Sequence, residues 1–314
     1  MKKIVALLCL ALLLVSFAGE AFVPCAYAQE ELDVSAEAAA MSEAPEAACI
    51  VLQPEHPGDQ EKSCDVAVVD YSNTTDGYVM ACYTGETSKR LKLRVQGPKT
   101  TYTYNLPIQN WTTFPLSDGD GSYQVSIYRN TSGNKYATVM SAKFKVSLSD
   151  EFAPFLRPNQ YVDYSASPET MTMGAQLCTG IEKPLEKVAA VYDYVVSNFS
   201  YDYDKAATVK SGYLPVLDSV LAEKKGICFD YAALMTAMLR SQGIPCKLVV
   251  GYAGDIYHAW ISVWTEENGW VDGFVFFNGK TWKRMDPTFA SSSGRSDEIM
   301  EFIENGSYTV KYLY

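Results

Sequence analysis

Lys224-Lys225-Gly226-Ile227-Cys228-Phe229-Asp230-Tyr231-Ala232 opens an amphipathic helical run that continues through Leu234, Met235, Met238 and Leu239 to Gly243, with Pro245 just beyond as a stop. Gly226 lets the chain turn tightly without a side chain blocking the approach to the cysteine sulfur. A cysteine at a helix start feels the positive end of the helix dipole, which favours the thiolate. Downstream come four strand-like runs, Cys246 to Tyr252, Ala259 to Trp264, Phe274 to Phe277 and Lys280 to Asp286, the last two joined at Asn278-Gly279, a hairpin signal. Upstream, Leu185, Val188, Tyr192, Val195, Val196 and Phe199 recur at three- and four-residue steps, with Pro184 near the helix start. Helices first and antiparallel strands after predict an α+β domain over residues 151–314, with helices packed on an antiparallel sheet and a core of its own.

Further out, the pattern changes to period two. Leu91, Leu93 and Val95 alternate with Lys92, Arg94 and Gln96, and Tyr123, Val125 and Ile127 alternate with Gln124 and Ser126. Turn clusters at Asp118-Gly119-Asp120-Gly121 and at 130–134 divide these runs, so residues 50–150 are expected to form an all-β, Ig-like sandwich. Residues 29–49 are rich in alanine and acids and carry no base, which predicts a disordered linker. His56, just past it, falls in a stretch that reads as unstructured. Lys2 and Lys3 precede an apolar run from Ile4 to Phe17, and Ala26-Tyr27-Ala28 supplies a small-x-small cleavage site, so residues 1–28 read as a signal peptide. Phe22-Val23-Pro24 before Cys25 lacks the small residues a lipid-modified cysteine needs. The expected product is therefore secreted, extracellular and without a membrane span.

The chain has 37 acidic against 26 basic residues, a net charge of −11, which gives no electrostatic reason to bind nucleic acid or anionic lipid. Six cysteines follow the signal (Cys49, Cys64, Cys82, Cys178, Cys228 and Cys246), and with Cys228 free not all the rest can pair internally. Apart from His56 the chain has one histidine, His258, which stands 30 residues after Cys228 and 28 before Asp286. A cysteine, a histidine and an aspartate are the parts of an activated thiol nucleophile: the thiolate, the base that makes it and the carboxylate that orients the base. Each alone has a plainer reading. A cysteine in a helix is usually a small core residue, a histidine on a strand usually packs, and an aspartate before Pro287 often just makes a turn. The three together, in these contexts, favour catalysis. Asp230 serves the first helical turn as readily as a substrate, Tyr201 to Asp204 read as a solvated loop, and the tryptophans at 260, 264, 270 and 282 read as core or hairpin-face residues. One histidine in the folded part and no Cys-x-x-Cys leave too few ligands for a metal centre, no cofactor motif occurs, and no Gly-x-Ser-x-Gly suggests a serine hydrolase.

Gly226-Ile227-Cys228 with Tyr231-Ala232, His258-Ala259-Trp260 and Asp286-Pro287-Thr288 together resemble the transglutaminase-like superfamily, over residues 182–291. The resemblance implies a papain-like core with Cys228 as nucleophile, His258 as base and acid, and Asp286 as the orienting group. A papain-type oxyanion glutamine would fall on Ala222, so that donor is missing; the Cys228 main-chain N–H is one candidate and the second is unassigned. The preceding sandwich is similar to modules joined to such cores in secreted proteins of Gram-positive bacteria. The superfamily includes peptidases, amidases, crosslinkers and members without catalysis. The expectation is a secreted cysteine peptidase or amidase that cleaves protein, peptide or cell-wall peptide amides through a thioester. A protein-crosslinking transglutaminase and a non-catalytic cell-surface binding module are the alternatives.

Overall fold

Alternating burial builds the first half of the molecule. The computed structural model describes residues 49–272, 274–277, 282–285, 288 and 307–314. Eight strands come first: β1 (Glu61–Cys64), β2 (Ala67–Asp70), β3 (Tyr78–Tyr83), β4 (Leu91–Gln96), β5 (Thr101–Asn105), β6 (Thr112–Pro115), β7 (Gly121–Ser132) and β8 (Lys135–Val146). They form two antiparallel four-stranded sheets, in the orders β1-β2-β3-β6 and β5-β4-β7-β8. On β4, Leu91, Leu93 and Val95 point into the core while Arg94 and Gln96 face out, the pattern of a sheet wet on one side. The Asp118 carboxylate clasps the β4–β5 turn, accepting from the N–H groups of Lys99 (2.8 Å) and Thr100 (2.7 Å) and from the Tyr102 hydroxyl (3.1 Å).

The second half holds α1 (Pro168–Cys178), α2 (Pro184–Asn198), β9 (Ser200–Tyr201), α3 (Tyr203–Thr208), α4 (Leu217–Glu223), β10 (Lys225–Gly226) and α5 (Cys228–Arg240). The strands β11 (Cys246–Ala253), β12 (Ile256–Thr265), β13 (Gly269–Asp272), β14 (Phe274–Phe277), β15 (Trp282–Met285) and β16 (Tyr308–Leu313) follow. An antiparallel sheet runs β13-β12-β11-β16, and β14 pairs with β15. The Asn278-Gly279 turn expected between β14 and β15 lies outside the described residues. Among the described residues no helix is long and apolar enough to cross a membrane.

Three expectations are corrected here. The amphipathic run expected from Cys228 has no wet face past its first two residues: every residue of α5 from Asp230 to Arg240 is buried, because α1, α2 and α4 cover one side and β11 and β12 the other. Tyr201 to Asp204 are not a loop: β9, which ends at Tyr201, pairs in parallel with β10, and α3 starts at Tyr203 with the Asp202 side chain capping it. His56 also sits in an ordered stretch, its ring stacked on Trp111 at 4.0 Å.

The β-rich half and the helical half share one contiguous buried cluster. The rings of Tyr102 and Tyr104 on β5 meet that of Tyr314 edge-on at 5.7 and 5.9 Å. Arg240, fully buried at the end of α5, donates to the main-chain oxygens of Cys246 (2.9 Å), Arg157 (2.7 Å) and Tyr314 (2.8 Å). Those three bonds join the helix, the sheet and the segment leading into it.

Candidate active site

The start of α5 is built around a carboxylate. Ile227 is extended (φ −97°, ψ 175°), so Cys228 is the first helical residue. Three residues past this N-cap, Asp230 accepts from the Ile227 N–H at 2.9 Å, closing the helix end. The same carboxylate, with no solvent exposure, also accepts from Lys205 Nζ at 2.7 Å and the Tyr213 hydroxyl at 2.6 Å. A Cβ on Gly226 would lie 2.7 Å from the Asp230 Cβ, so glycine is needed here for close approach. Of the two readings the sequence leaves open for Asp230, the observed contacts are those of the helix turn; it also ties that turn to α3 and to the 209–213 segment.

The β9–β10 pair sets Tyr201 beside the thiol, with Gly226 opposite Tyr201 and the Asp202 N–H donating to the Gly226 carbonyl at 2.9 Å. Burial, and then the neighbouring Cys228, push Tyr201 up to about 12, so its phenol stays a neutral donor. Tyr213 is also pushed up to about 12, by burial and then by its bond to Asp230. Burial works against the Lys205 ammonium, but its bonds to Asp230 and Tyr213 outweigh this and hold it above the usual lysine range.

His258 lies on β12 directly across from Gly251 of β11, buried to 4% exposure, with Trp260 two residues on along the same strand. A Cβ on Gly251 would run into the main-chain oxygen of Thr309 on β16 and come within 2.9 Å of the Trp260 ring, so only glycine lets the three strands close up here. Cys228, half-buried, and His258 open on one cleft of about 530 Å³, whose walls include Tyr161, Tyr201, Tyr213 and Tyr257. Thr103 of β5 lines the same cleft. The structure thus brings Cys228 and His258 together; Asp286 lies outside the described residues.

In four of the other five cysteines burial works against the thiolate. All six after residue 48 are free thiols. Burial pushes Cys246 up to about 11 and raises Cys49, Cys82 and Cys178 as well. Trp264 and Trp270 pack on Phe152, and Lys247 Nζ sits 3.3 Å over the Trp270 ring, so these two tryptophans serve packing. Among the described residues no three His, Cys, Asp or Glu side chains gather to hold a metal ion. Sequence reasoning missed Lys205, Tyr213 and Thr103, which reach the site across the fold and share no local motif with it.

A helix-borne cysteine and a strand-borne histidine facing one cleft, on helices packed against an antiparallel sheet, define the class of papain-like α+β folds. Within that class, residues 172–272 match the family described as the Transglutaminase-like superfamily. A protein of Bacillus subtilis (strain 168) named YebA is 29% identical over 148 residues, covering 41% of this chain and 20% of that protein. A protein-glutamine gamma-glutamyltransferase of Pseudomonas aeruginosa is 25% identical over 158 residues, covering 46% of this chain and 21% of that protein. The chain spans about a fifth of the length of these two relatives. Among solved structures, red sea bream transglutaminase aligns with a TM-score of 0.30 at 13% identity, over 74% of this chain and 56% of that one.

Proposed function

We propose that the chain is an exported thiol acyl-transfer enzyme, a peptidase or amidase acting on protein, peptide or cell-wall peptide amides, with Cys228 as nucleophile, His258 as base and acid, and Asp286 as the orienting carboxylate. The observation that carries this reading is that the first residue of α5 and the buried histidine of β12 open on one cleft. His258 takes the proton from the Cys228 sulfur, and the thiolate attacks the amide carbonyl carbon, forming a C–S bond. The C–N bond then breaks as His258 returns the proton to the leaving nitrogen. Water attacks the thioester, giving a proton to His258 and releasing acid and thiolate. The Cys228 N–H, in the first turn of α5 where no intrahelical acceptor exists, is a donor for the oxyanion.

A second reading replaces water with a primary amine, which makes the enzyme a crosslinker. The relationship to a protein-glutamine gamma-glutamyltransferase supports it. One experiment separates these readings from each other and from a non-catalytic module. The purified chain is incubated with secreted proteins and peptidoglycan peptides, with and without an added amine, and products are read by mass spectrometry. Free acid even in the presence of amine supports hydrolysis, and amide-linked amine supports transfer. In either case Cys228→Ala and His258→Ala abolish turnover, whereas Asp286→Asn keeps part of it. Full activity of His258→Ala on a substrate that Cys228→Ala cannot process would remove His258 from the mechanism.

A further inference from the structure

The β-rich half contributes more to the cleft than a side chain. β5 is the edge strand of its sheet, paired on one side with β4 and, among the described residues, with no strand on the other. The β4–β5 ladder is framed by the bonds Leu106 N–H to Leu91 O (3.3 Å) and Gly97 N–H to Thr100 O (2.9 Å). In an antiparallel pair hydrogen-bonded and non-bonded positions alternate, so Leu93/Tyr104 and Val95/Tyr102 exchange bonds while Arg94/Thr103 and Lys92/Asn105 do not. The main-chain N–H and C=O of Thr101, Thr103 and Asn105 therefore point away from β4. The Asn105 oxygen accepts from Gln160 Nε2 at 2.8 Å. The Thr103 N–H and C=O have no partner among the described residues, Thr103 is exposed, and it opens on the cleft that holds Cys228. An unpaired donor and acceptor on a strand edge are a template for another extended chain. Among the described cleft residues there is Lys210 and no aspartate or glutamate, in a chain of net charge −11. That lining accepts a neutral or acidic segment and selects against no carboxylate it would carry.

From this placement we infer that the acyl-donor substrate is an extended, neutral-to-acidic protein segment that adds to the free edge of β5 at Thr103 and so lays its amide side chain or backbone against Cys228. The inference rests on the thiol-enzyme reading only for its last step; strand addition stands without it. The test uses β-casein, an acidic and largely extended protein, as probe, and p-nitrophenyl acetate, which has no chain to pair, as reporter of the thiol. In the full chain carrying Cys228→Ala, added β-casein is expected to slow hydrogen exchange of the Thr103 amide. Thr103→Pro removes the outward donor and leaves the β4 ladder intact, as proline is tolerated at such edge positions. It is expected to lower the ratio of kcat/KM for β-casein to that for p-nitrophenyl acetate roughly five- to tenfold, the loss of one main-chain hydrogen bond. Thr103→Val, which restores the N–H, is expected to recover that ratio. Unchanged exchange at Thr103, or an equal loss in Thr103→Val, overturns strand addition. Protection at Thr103 without any p-nitrophenyl acetate hydrolysis leaves strand addition standing and overturns the enzyme; hydrolysis without protection does the reverse.

Discussion

At the scale of single residues, the buried Asp230 carboxylate ties the turn that carries Cys228 to Lys205 and Tyr213. Cys228 and His258 stand out because histidine is scarce and each sits in a context that predicts its element; the shared cleft follows once those elements form. Asp230 was visible as an acid in the first turn of a helix. That it also binds Lys205 and Tyr213 could not be read, because those partners stand 25 and 17 residues away on segments without any shared period. A fully buried carboxylate with three donors is stable only while all three are present. Asp230→Asn keeps the shape but gives up the charge and one acceptor position, so it is expected to destabilise the chain by about 2–4 kcal/mol in chemical denaturation. It should also lower kcat more than it raises KM, since the turn that presents Cys228 loses its anchor. Equal kcat in Asp230→Asn and wild type would confine Asp230 to stability.

Elements were predicted best where a period ran long. The helix from Cys228 and the strands from Cys246 and Ala259 lie within a few residues of their observed bounds, and the Leu91 to Gln96 alternation marks β4 to the residue. What the period could not give is partnership. β16 has its own alternation of Tyr308, Val310 and Tyr312, but nothing local says that it pairs with β11, some sixty residues earlier in the chain. That pairing has a visible cost at Gly251, where the register slips between Val250 and Gly251 and the Thr309 oxygen occupies the space of a side chain. A clash with main chain cannot be relieved by a rotamer change, so Gly251→Ala must push β16 off β11 or shift the strand opposite His258. Gly251→Ala is expected to cost about 1–3 kcal/mol and to reduce turnover, whereas Gly133→Ala, at an open turn, should leave turnover intact. Wild-type stability in Gly251→Ala would show that the strands separate there without penalty.

Across the whole molecule, the sequence divides more sharply than the packing does. Residues 50–150 and 151–314 differ in period and in element type, which is why they read as separate units with separate cores. Yet Tyr102 and Tyr104 from one side pack on Tyr314 from the other, within a single buried cluster, and cross-chain aromatic contacts leave no local mark in a sequence. These tyrosines also give the molecule a common response to alkali. Burial pushes Tyr161, Tyr164, Tyr201 and Tyr213 to about 12, and raises Tyr102, Tyr104, Tyr123 and Tyr314 as well. In the unfolded chain a tyrosine titrates near 10, so between about pH 10 and 12 the unfolded state releases protons that the folded state keeps. Stability is therefore fully present below about pH 10 and falls as pH rises through this window. Because the raised tyrosines lie on both sides of the shared cluster, the β-rich and helical halves are expected to unfold together, in one transition seen alike by tyrosinate absorbance and far-ultraviolet circular dichroism. Tyr104→Ala, which removes a ring between the halves, should bring that transition to lower temperature at neutral pH while keeping it single. Two separated transitions in the wild-type chain, with Tyr104→Ala moving only one of them, would mean that each half owns its core and that the tyrosine contacts are only a seam between them.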